Sequence, residues 1–236
     1  MSSEVAGLKS ATFHEEGYDH VVELVHQRDA RAHRALISLE VGVRDASGGV
    51  LASIPVDPRE EILDLERLVR THASGRGPVM VTFDARYDPR VFPYRPHHYA
   101  YLHRRGSEAA PLYYAINAVL GGVPDRIGAT SANNFETYLF LQRSVAERYS
   151  LLLGNVSRWA PAEVRVFGYY GRSRRSWGVK LGPGEHAEFP LPGEQDRVRL
   201  QRVEVKTLFR LATYVVGRRL DSGELVLLDH LFSYFK

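Results

Sequence analysis

Hydrophobic and polar residues alternate along much of this chain with a period of two, the pattern of β-strands that bury one face. The clearest stretch runs from Ala35 to Arg44, in which every second residue is apolar. The turn residues Asp45 to Gly49 follow, and the alternation resumes from Val50 to Val56. This stretch therefore predicts a β-hairpin.

The same order of elements occurs twice. Tyr18 to Leu65 and Tyr149 to Leu191 each contain a strand, a polar break, a second strand, a Gly-containing turn, a third strand and a short apolar stretch after a Gly or Pro kink. Short strands separated by turns are typical of a β-sandwich. We therefore predict an all-β fold of two related antiparallel β-sandwich units, residues 13–104 and 135–236, produced by tandem duplication.

One short helix is predicted in the first unit. Asp57 is placed as its N-cap, Pro58 at the first helical position, and Glu60 where it closes a capping box. The apolar positions that continue at helical spacing are Ile62, Leu65, Leu68 and Val69.

Residues 105–134 are predicted to form an ordered linker between the units. The apolar run Leu112 to Leu120 within them fits strand alternation and helical spacing about equally well, so both interpretations stay open. Because it is too apolar for a flexible linker, we expect it to pack.

The composition is that of a globular protein, with 236 residues of which 44% are hydrophobic, a net charge of +3 and no cysteine. The absence of cysteine excludes disulfides, thiolate metal ligands and a cysteine nucleophile, and it fits a reducing compartment. No signal-peptide core and no run of about 18 apolar residues is found. We therefore expect a cytoplasmic protein that does not insert into membranes.

Local catalytic motifs are missing from the sequence. It contains no nucleophile elbow, phosphate loop, dinucleotide fingerprint or zinc-binding HExxH helix. We therefore assign no catalytic residue, metal ligand or cofactor, and we expect a non-enzymatic binding protein. The alternative is a metal-dependent hydrolase-type enzyme whose histidines converge from both halves, since a site assembled from distant residues leaves no local motif.

An aromatic segment is the densest candidate for ligand binding. If residues 97–103 form a strand, His97, Tyr99, Tyr101 and His103 share one face, which could bind a small ligand. The two histidines would lie about 20 Å apart and could not chelate the same ion.

Polar residues near the C-terminus form a second group. Arg219 and Asp221 lie in a predicted turn, where a guanidinium beside a carboxylate can hold a polar ligand or pin the loop. His230 could meet a partner from another strand. Ligand binding and a structural role stay open for all three residues.

A basic hairpin is the candidate for nucleic-acid binding. No acidic residue occurs from Val164 to Gly184. The stacking rings and cations that single-strand binders combine are interleaved here as Tyr169, Arg172, Arg174, Arg175 and Trp177. The low net charge favours a solvated turn instead. A small molecule or a protein is therefore the expected partner, and nucleic acid is the alternative.

The C-terminal half resembles a known family. The stretch from Val203 to Phe235 is similar to the end of the small β-sandwich proteins called sensory rhodopsin transducers, whose arginine-leucine-aspartate-serine segment corresponds to Arg219–Ser222. Glu136 to Leu141 resembles the family's early glutamate-threonine strand, and Val179 to Leu191 its strand, break and strand. The resemblance implies an antiparallel sandwich, a homo-oligomer, and a role in binding a ligand or a protein.

Overall fold

The computed structural model describes residues 6–24, 34–57, 59–73, 78–88, 90, 98–116, 118–119, 134–140, 146–195 and 198–234. The chain forms two compact units, Met1–Gly122 (unit 1) and Val123–Lys236 (unit 2). Both are built of antiparallel sheets, so the predicted all-β class is confirmed. Within the described ranges, no helix has the length and apolar composition needed to cross a bilayer.

Unit 1 consists of a five-stranded sheet, in the order β4-β3-β6-β1-β9, and a four-stranded sheet, in the order β5-β2-β7-β8. Helix α1 (Leu65–Ala73) follows β5. The strands are β1 (Ala6–Phe13), β2 (Tyr18–Glu23), β3 (Leu36–Arg44), β4 (Val50–Pro55), β5 (Ile62–Asp64), β6 (Met80–Tyr87), β7 (Tyr99–Arg104), β8 (Leu112–Ala115) and β9 (Ala118–Val119).

Unit 2 consists of a five-stranded sheet, β13-β12-β17-β10-β20, a four-stranded sheet, β14-β11-β18-β19, and the small pair β15-β16. Its strands are β10 (Asn134–Leu139), β11 (Glu147–Gly154), β12 (Ala162–Tyr170), β13 (Ser173–Leu181), β14 (His186–Leu191), β15 (Glu194–Gln195), β16 (Val198–Arg199), β17 (Arg202–Thr207), β18 (Ala212–Arg219), β19 (Leu225–His230) and β20 (Phe232–Tyr234).

The two units share one strand order. Strands β1 to β9 of unit 1 correspond in chain order to β10 to β14 and β17 to β20 of unit 2. With this correspondence, the two large sheets of each unit have the same strand order. The insertion after the fifth strand differs, because unit 1 carries helix α1 where unit 2 carries the β15-β16 pair. Descent of both units from one duplicated ancestor stays a prediction.

Backbone hydrogen bonds fix the residue correspondence between the units. The His14 amide donates to the Val79 carbonyl, and at the same place in unit 2 the Phe140 amide donates to the Gln201 carbonyl. Further correspondences follow from the strand registers, and each pair below gives the unit 1 residue first. They are Ser10 with Glu136, Thr12 with Tyr138, Glu40 with Arg165, Asp84 with Lys206, His20 with Tyr149, and His98 with Thr213.

The core of unit 2 lies between its two large sheets, and strand alternation places it there. Val164 and Val166 of β12 point inward against Leu151 and Leu153 of β11, and all four are buried. Burying each such side chain stabilises the fold by about 1.5–3 kcal/mol. Because the period of a strand is two, the intervening residues of β12 point outward.

The predicted helix is correct in existence and wrong in its start. Asp64, and not Asp57, caps α1, since its Oδ1 accepts the Arg67 amide at 2.9 Å. Residues 62–64 form strand β5 paired with β2, because Ile62 and Leu63 gain backbone partners there. Asp57 instead accepts the Arg59 amide in a turn, at 2.8 Å, and Pro58 lies outside the described residues.

The apolar run from Leu112 to Leu120, which fits both a strand and a helix by its sequence, contains strands β8 and β9. β8 pairs with β7, and β9 pairs with β1, so both lie in the sheets of unit 1 although they fall within the predicted linker of residues 105–134. Tyr114 and Ile116 are the buried positions of this run. The local pattern does not distinguish a strand from a helix, and the backbone pairing with β7 and β1 decides for the strand.

Candidate functional site

The outward side of the five-stranded sheet of unit 2 carries basic and aromatic side chains. On β12, Arg165, Phe167 and Tyr169 point away from the core. On β17, Arg202 and Lys206 do the same, because the intervening valines are buried. We call this side the basic aromatic face. Its residues are Phe135, Thr137, Leu139, Glu163, Arg165, Phe167, Tyr169, Arg174, Lys180, Arg202, Glu204, Lys206 and Phe232.

Cross-strand pairing sets cations beside aromatic rings. Tyr169 lies between Arg174 of β13 and Arg202 of β17. The Arg202 guanidinium lies 3.9 Å from the centre of the Tyr169 ring. At that distance the cation is attracted by the π-electrons of the ring, which helps to hold both groups in place.

Two further cations of the face lie over rings. The Arg174 guanidinium is 5.0 Å from the centre of the Phe167 ring, and the Lys206 ammonium is 5.2 Å from that of Phe135. A guanidinium resting on a ring keeps its N–H donors directed to the sides, where an anionic ligand can reach them. The face therefore combines stacking surfaces with positioned cations.

The charge of this face is largely unneutralised. Five cations stand against two carboxylates, which gives a net charge of +3. Lys180 lies 3.7 Å from Glu163, with both groups exposed. The other four cations have no carboxylate of the described residues within 4.0 Å. These four are Arg165, Arg174, Arg202 and Lys206.

Unit 1 shows that the fold does not require this charge. At the positions of Arg165 and Lys206 it has Glu40 and Asp84. Asp84 accepts a hydrogen bond from Lys9 at 2.8 Å, and Glu40 accepts one from the Ser53 hydroxyl at 2.5 Å. These two sheet positions are thus acidic in unit 1, where both carboxylates accept hydrogen bonds, and basic in unit 2, where neither cation has a carboxylate of the described residues within 4.0 Å.

Only part of the predicted basic hairpin belongs to the face. Tyr169 and Arg174 point outward, whereas Trp177 packs toward the core with its ring 5.8 Å from Phe189. A Cβ on Gly168 would lie 3.1 Å from the Trp177 ring, so the glycine makes room for the indole. Trp177 is therefore a packing residue rather than a stacking platform.

The remaining two hairpin arginines lie off the face. Arg172 is exposed in the turn, and Arg175 pairs with Gly168, on the opposite side from Arg174. Sequence reasoning missed Arg165, Arg202 and Lys206 as members of one surface. The alternation on β17 shows that Arg202 and Lys206 share a side, but the β12-β17 pairing cannot be read from local sequence.

The predicted aromatic surface lies on the four-stranded sheet of unit 1. Tyr99, Tyr101 and His103 of β7 share its outward side, while the residues between them are buried. Tyr113 of β8 joins them, with its ring stacked on that of Tyr99 at 5.3 Å and tilted against that of Tyr101 at 4.8 Å. The Tyr101 hydroxyl donates to Glu23 at 3.4 Å. His97 lies outside the described residues.

The C-terminal group does not form one site within unit 2. Arg219 lies 3.9 Å from Glu224, and Asp221 Oδ1 accepts the Ser222 amide at 2.6 Å, so both hold their own turn. His230 pairs with Tyr214 at the other end of the β18-β19 ladder. Five residues of strand separate that pair from Arg219, which corresponds to about 17 Å.

A buried polar cluster closes one end of unit 1. The Tyr114 hydroxyl lies 2.7 Å from Thr12 Oγ1 and 2.9 Å from His20 Nε2. The His14 ring stacks on His20 at 6.2 Å, and its Nε2 lies 2.6 Å from Glu66 Oε2 on α1. Burial, with a smaller contribution from His14, lowers the pKa of His20 to about 3. Burial also raises the pKa of Tyr114 well above its ordinary value.

A buried ion pair occupies the interior of unit 2. Glu136 accepts a hydrogen bond from Arg210 Nε at 3.1 Å and another from the Thr213 hydroxyl. All three side chains are buried. Glu136 lies on β10 of the five-stranded sheet and Thr213 on β18 of the four-stranded sheet, so the hydrogen bond between them links the two sheets. In the resemblance described above, Glu136 belongs to the glutamate-threonine strand.

Two further observations bear on ligands. An open groove of about 310 Å³ lies between the end of β4 and helix α1, lined by Ile54, Pro55, Val56, Asp57, Glu60, Leu63, Asp64, Arg67, Leu68, Thr71 and His72. In the part of the chain that the structure describes, no three side chains of His, Cys, Asp or Glu are grouped so that they could hold a metal ion.

Comparison with known proteins adds no relative. No family model, no curated protein and no solved structure matches this chain. The resemblance to sensory rhodopsin transducers stays a prediction.

Proposed function

We propose that this protein is a non-enzymatic binding protein whose basic aromatic face binds single-stranded nucleic acid. The main support is a set of four cations on one sheet face that have no carboxylate of the described residues within 4.0 Å, three of them resting on aromatic rings. The low net charge of the whole chain made nucleic acid only the alternative partner in the sequence analysis, but net charge does not show where the cations lie. The concentration of cations on one surface supports placing nucleic acid first.

The dimensions of the face fit a short single strand. Five neighbouring strands span about 19 Å, because the strand spacing is about 4.8 Å. Sheet-based binders stack two or three bases on such a surface. Phe135, Phe167 and Tyr169 supply three rings, and the cations between them can bind the intervening phosphates. A duplex hides the faces of its bases, so we expect single strands to bind more tightly.

Fluorescence anisotropy with a labelled 12-nucleotide single strand and the matching duplex tests this proposal. We expect the single strand to bind more tightly, and we expect Tyr169→Ala to weaken its binding by about 1–3 kcal/mol, the value of one stacked base. Tyr101→Ala, which removes a tyrosine from the outward side of unit 1, is the matched control and should leave binding unchanged. Equal affinity for both forms would contradict the stacking part of the proposal.

The tyrosine surface of unit 1 supports a second candidate function, binding of a small molecule or a protein. The specific observation is the cluster of Tyr99, Tyr101 and Tyr113, of which Tyr113 is 50% exposed. Tyrosine is enriched at binding surfaces because it offers a large ring with a polar tip. Titration of the protein with a panel of neutral sugars and short peptides, compared with Tyr113→Ala, tests this function.

Self-association is a further part of the proposal. The resemblance implies a homo-oligomer, and the outermost strands of open sheets offer unpaired backbone groups to a second copy. Sedimentation velocity across a concentration series would detect such an assembly, and a constant monomer would remove it.

A further inference from the structure

At three positions of the polar cluster of unit 1, unit 2 has aromatic residues. Thr12, His14 and His20 correspond to Tyr138, Phe140 and Tyr149. In unit 2 the rings of Tyr138 and Phe140 lie 5.3 Å apart, and those of Phe140 and Tyr149 lie 4.8 Å apart. The same fold therefore closes this end with packed rings, and the two histidines are not a requirement of the architecture.

The cluster is costly to bury. His20 is fully buried, and its Nδ1 has no hydrogen-bond partner among the described residues. A buried polar atom without a partner costs about 1–3 kcal/mol. A feature that the fold can do without, and that lowers stability, is expected to serve a function.

The cluster also connects the sandwich to helix α1. Glu66 of α1 lies 2.6 Å from His14 through one carboxylate oxygen, and its other oxygen accepts a hydrogen bond from Arg105 at 2.8 Å. Arg105 in turn lies 3.6 Å from Asp19. Leu65, Val69 and Ala73 are the buried residues of the helix. These contacts therefore hold the first turn of α1 beside the end of β1.

We propose that this cluster is an acid-sensitive contact: it holds helix α1 on unit 1 and releases it when His20 takes up a proton. The groups that face His20 are His14 and Thr12 from the β1 side and Tyr114 from β8, with Glu66 and Arg105 joined through His14. Asp19 is its neighbour on β2, and Glu15 lies close enough to Tyr114 to act on it electrostatically.

Protonation would place a positive charge on the fully buried His20 ring, 6.2 Å from the His14 ring. His20 itself has no carboxylate partner in the part of the chain that the structure describes, so contact with water is what would relieve its charge. His14 and Glu66 provide a route from the cluster to water, since their side chains are 10% and 18% exposed. Opening that route separates α1 from the sandwich. Because α1 forms one wall of the groove of about 310 Å³, its release would also open the groove.

The expected size of the effect follows from proton linkage. The folded state keeps His20 neutral, since its pKa is lowered to about 3, whereas the opened state binds a proton near pH 6.5. The docked position of α1 is therefore most stable above pH 6.5, and it loses stability as the pH falls from 6.5 toward 3. Between pH 7 and pH 5 the opening equilibrium of α1 should increase about 25-fold.

Hydrogen exchange of the full chain, corrected for the intrinsic pH dependence of exchange, tests this proposal. In the wild type we expect the protection of residues 65–73 to fall about 25-fold from pH 7 to pH 5 and to stay below that of β6 at both pH values. His20→Gln, which keeps a polar group beside Tyr114 but cannot be protonated, should remove this fall. His72→Gln, an exposed position on the same helix, is the control and should behave like the wild type.

If His20→Gln does not fold, His14→Gln provides the second variant. It removes the imidazole beside Glu66, so the protection of α1 should already be low at pH 7. Equal protection of wild-type α1 at both pH values would overturn the proposal. So would protection of α1 equal to that of β6, because that would mean unfolding of the whole unit, or unchanged protection of α1 in His14→Gln.

Discussion

The salt dependence of oligonucleotide binding gives the most quantitative prediction for the basic aromatic face. Each phosphate neutralised on a single strand contributes about −0.7 to the slope of log K against log salt concentration. Four unpaired cations lie on the face, so the wild-type slope should be about −2.8. Raising the salt concentration from 50 to 200 mM should therefore weaken binding about 50-fold.

The perturbation is the double variant Arg202→Ala/Lys206→Ala. Both side chains lie on β17 and make no ion pair within the described residues, so their removal breaks no salt bridge. The slope should fall to about −1.4, and the same increase in salt should weaken binding only about 7-fold. Fluorescence anisotropy with one labelled 12-mer, measured at four salt concentrations, gives both slopes.

The matched control removes two cations from another surface. Arg67→Ala/Arg70→Ala changes the net charge by the same amount on the exposed side of helix α1 in unit 1. Its slope should equal that of the wild type. If the control lowers the slope as much as the β17 variant, binding follows net charge and not this face, and the reasoning is refuted.

Three further predictions concern stability. Glu136→Gln leaves the buried guanidinium of Arg210 without its carboxylate and should lower the free energy of unfolding of unit 2 by about 3–5 kcal/mol, measured by urea denaturation followed through the two tryptophans, both of which lie in unit 2. A loss below 1 kcal/mol would contradict this account of the pair. Asn155→Ala removes the amide that donates to the Ala160 and Gly182 carbonyls at 2.8 and 2.9 Å, so the same assay should show a loss of about 2 kcal/mol or more, and an unchanged midpoint would count against it. Asp64→Ala removes the cap of α1 and should reduce the protection of residues 65–73 in hydrogen exchange by about 1 kcal/mol, whereas Asp57→Ala should leave that protection unchanged.

The sequence predicts strands well where one face is buried. The alternation from Ala35 to Val56 corresponds to β3 and β4, and the alternation from Val164 corresponds to β12. It misplaced the start of α1, because Ile62 fits helical spacing while its backbone pairs with β2. Local spacing contains no information about a partner that lies about forty residues earlier in the chain.

The candidate sites were harder to predict than the strands. The hairpin arginines lie close together in the sequence, yet the shortest cation-π contact of the basic aromatic face joins Tyr169 to Arg202, 33 residues later. His14 and Glu66 meet for the same reason, since the fold and not the sequence separation places α1 beside the end of β1. Sites built from several strands need the strand order before their residues can be grouped.

The role of unit 2 can be tested most directly by an NMR titration of the isotope-labelled protein with an unlabelled single-stranded 12-mer. The account predicts chemical-shift changes concentrated on the amides of Arg165, Tyr169, Arg202 and Lys206, with none at Glu40 and Asp84 on the equivalent face of unit 1. Changes spread over exposed lysines and arginines of both units, or no changes at millimolar oligonucleotide, would contradict it.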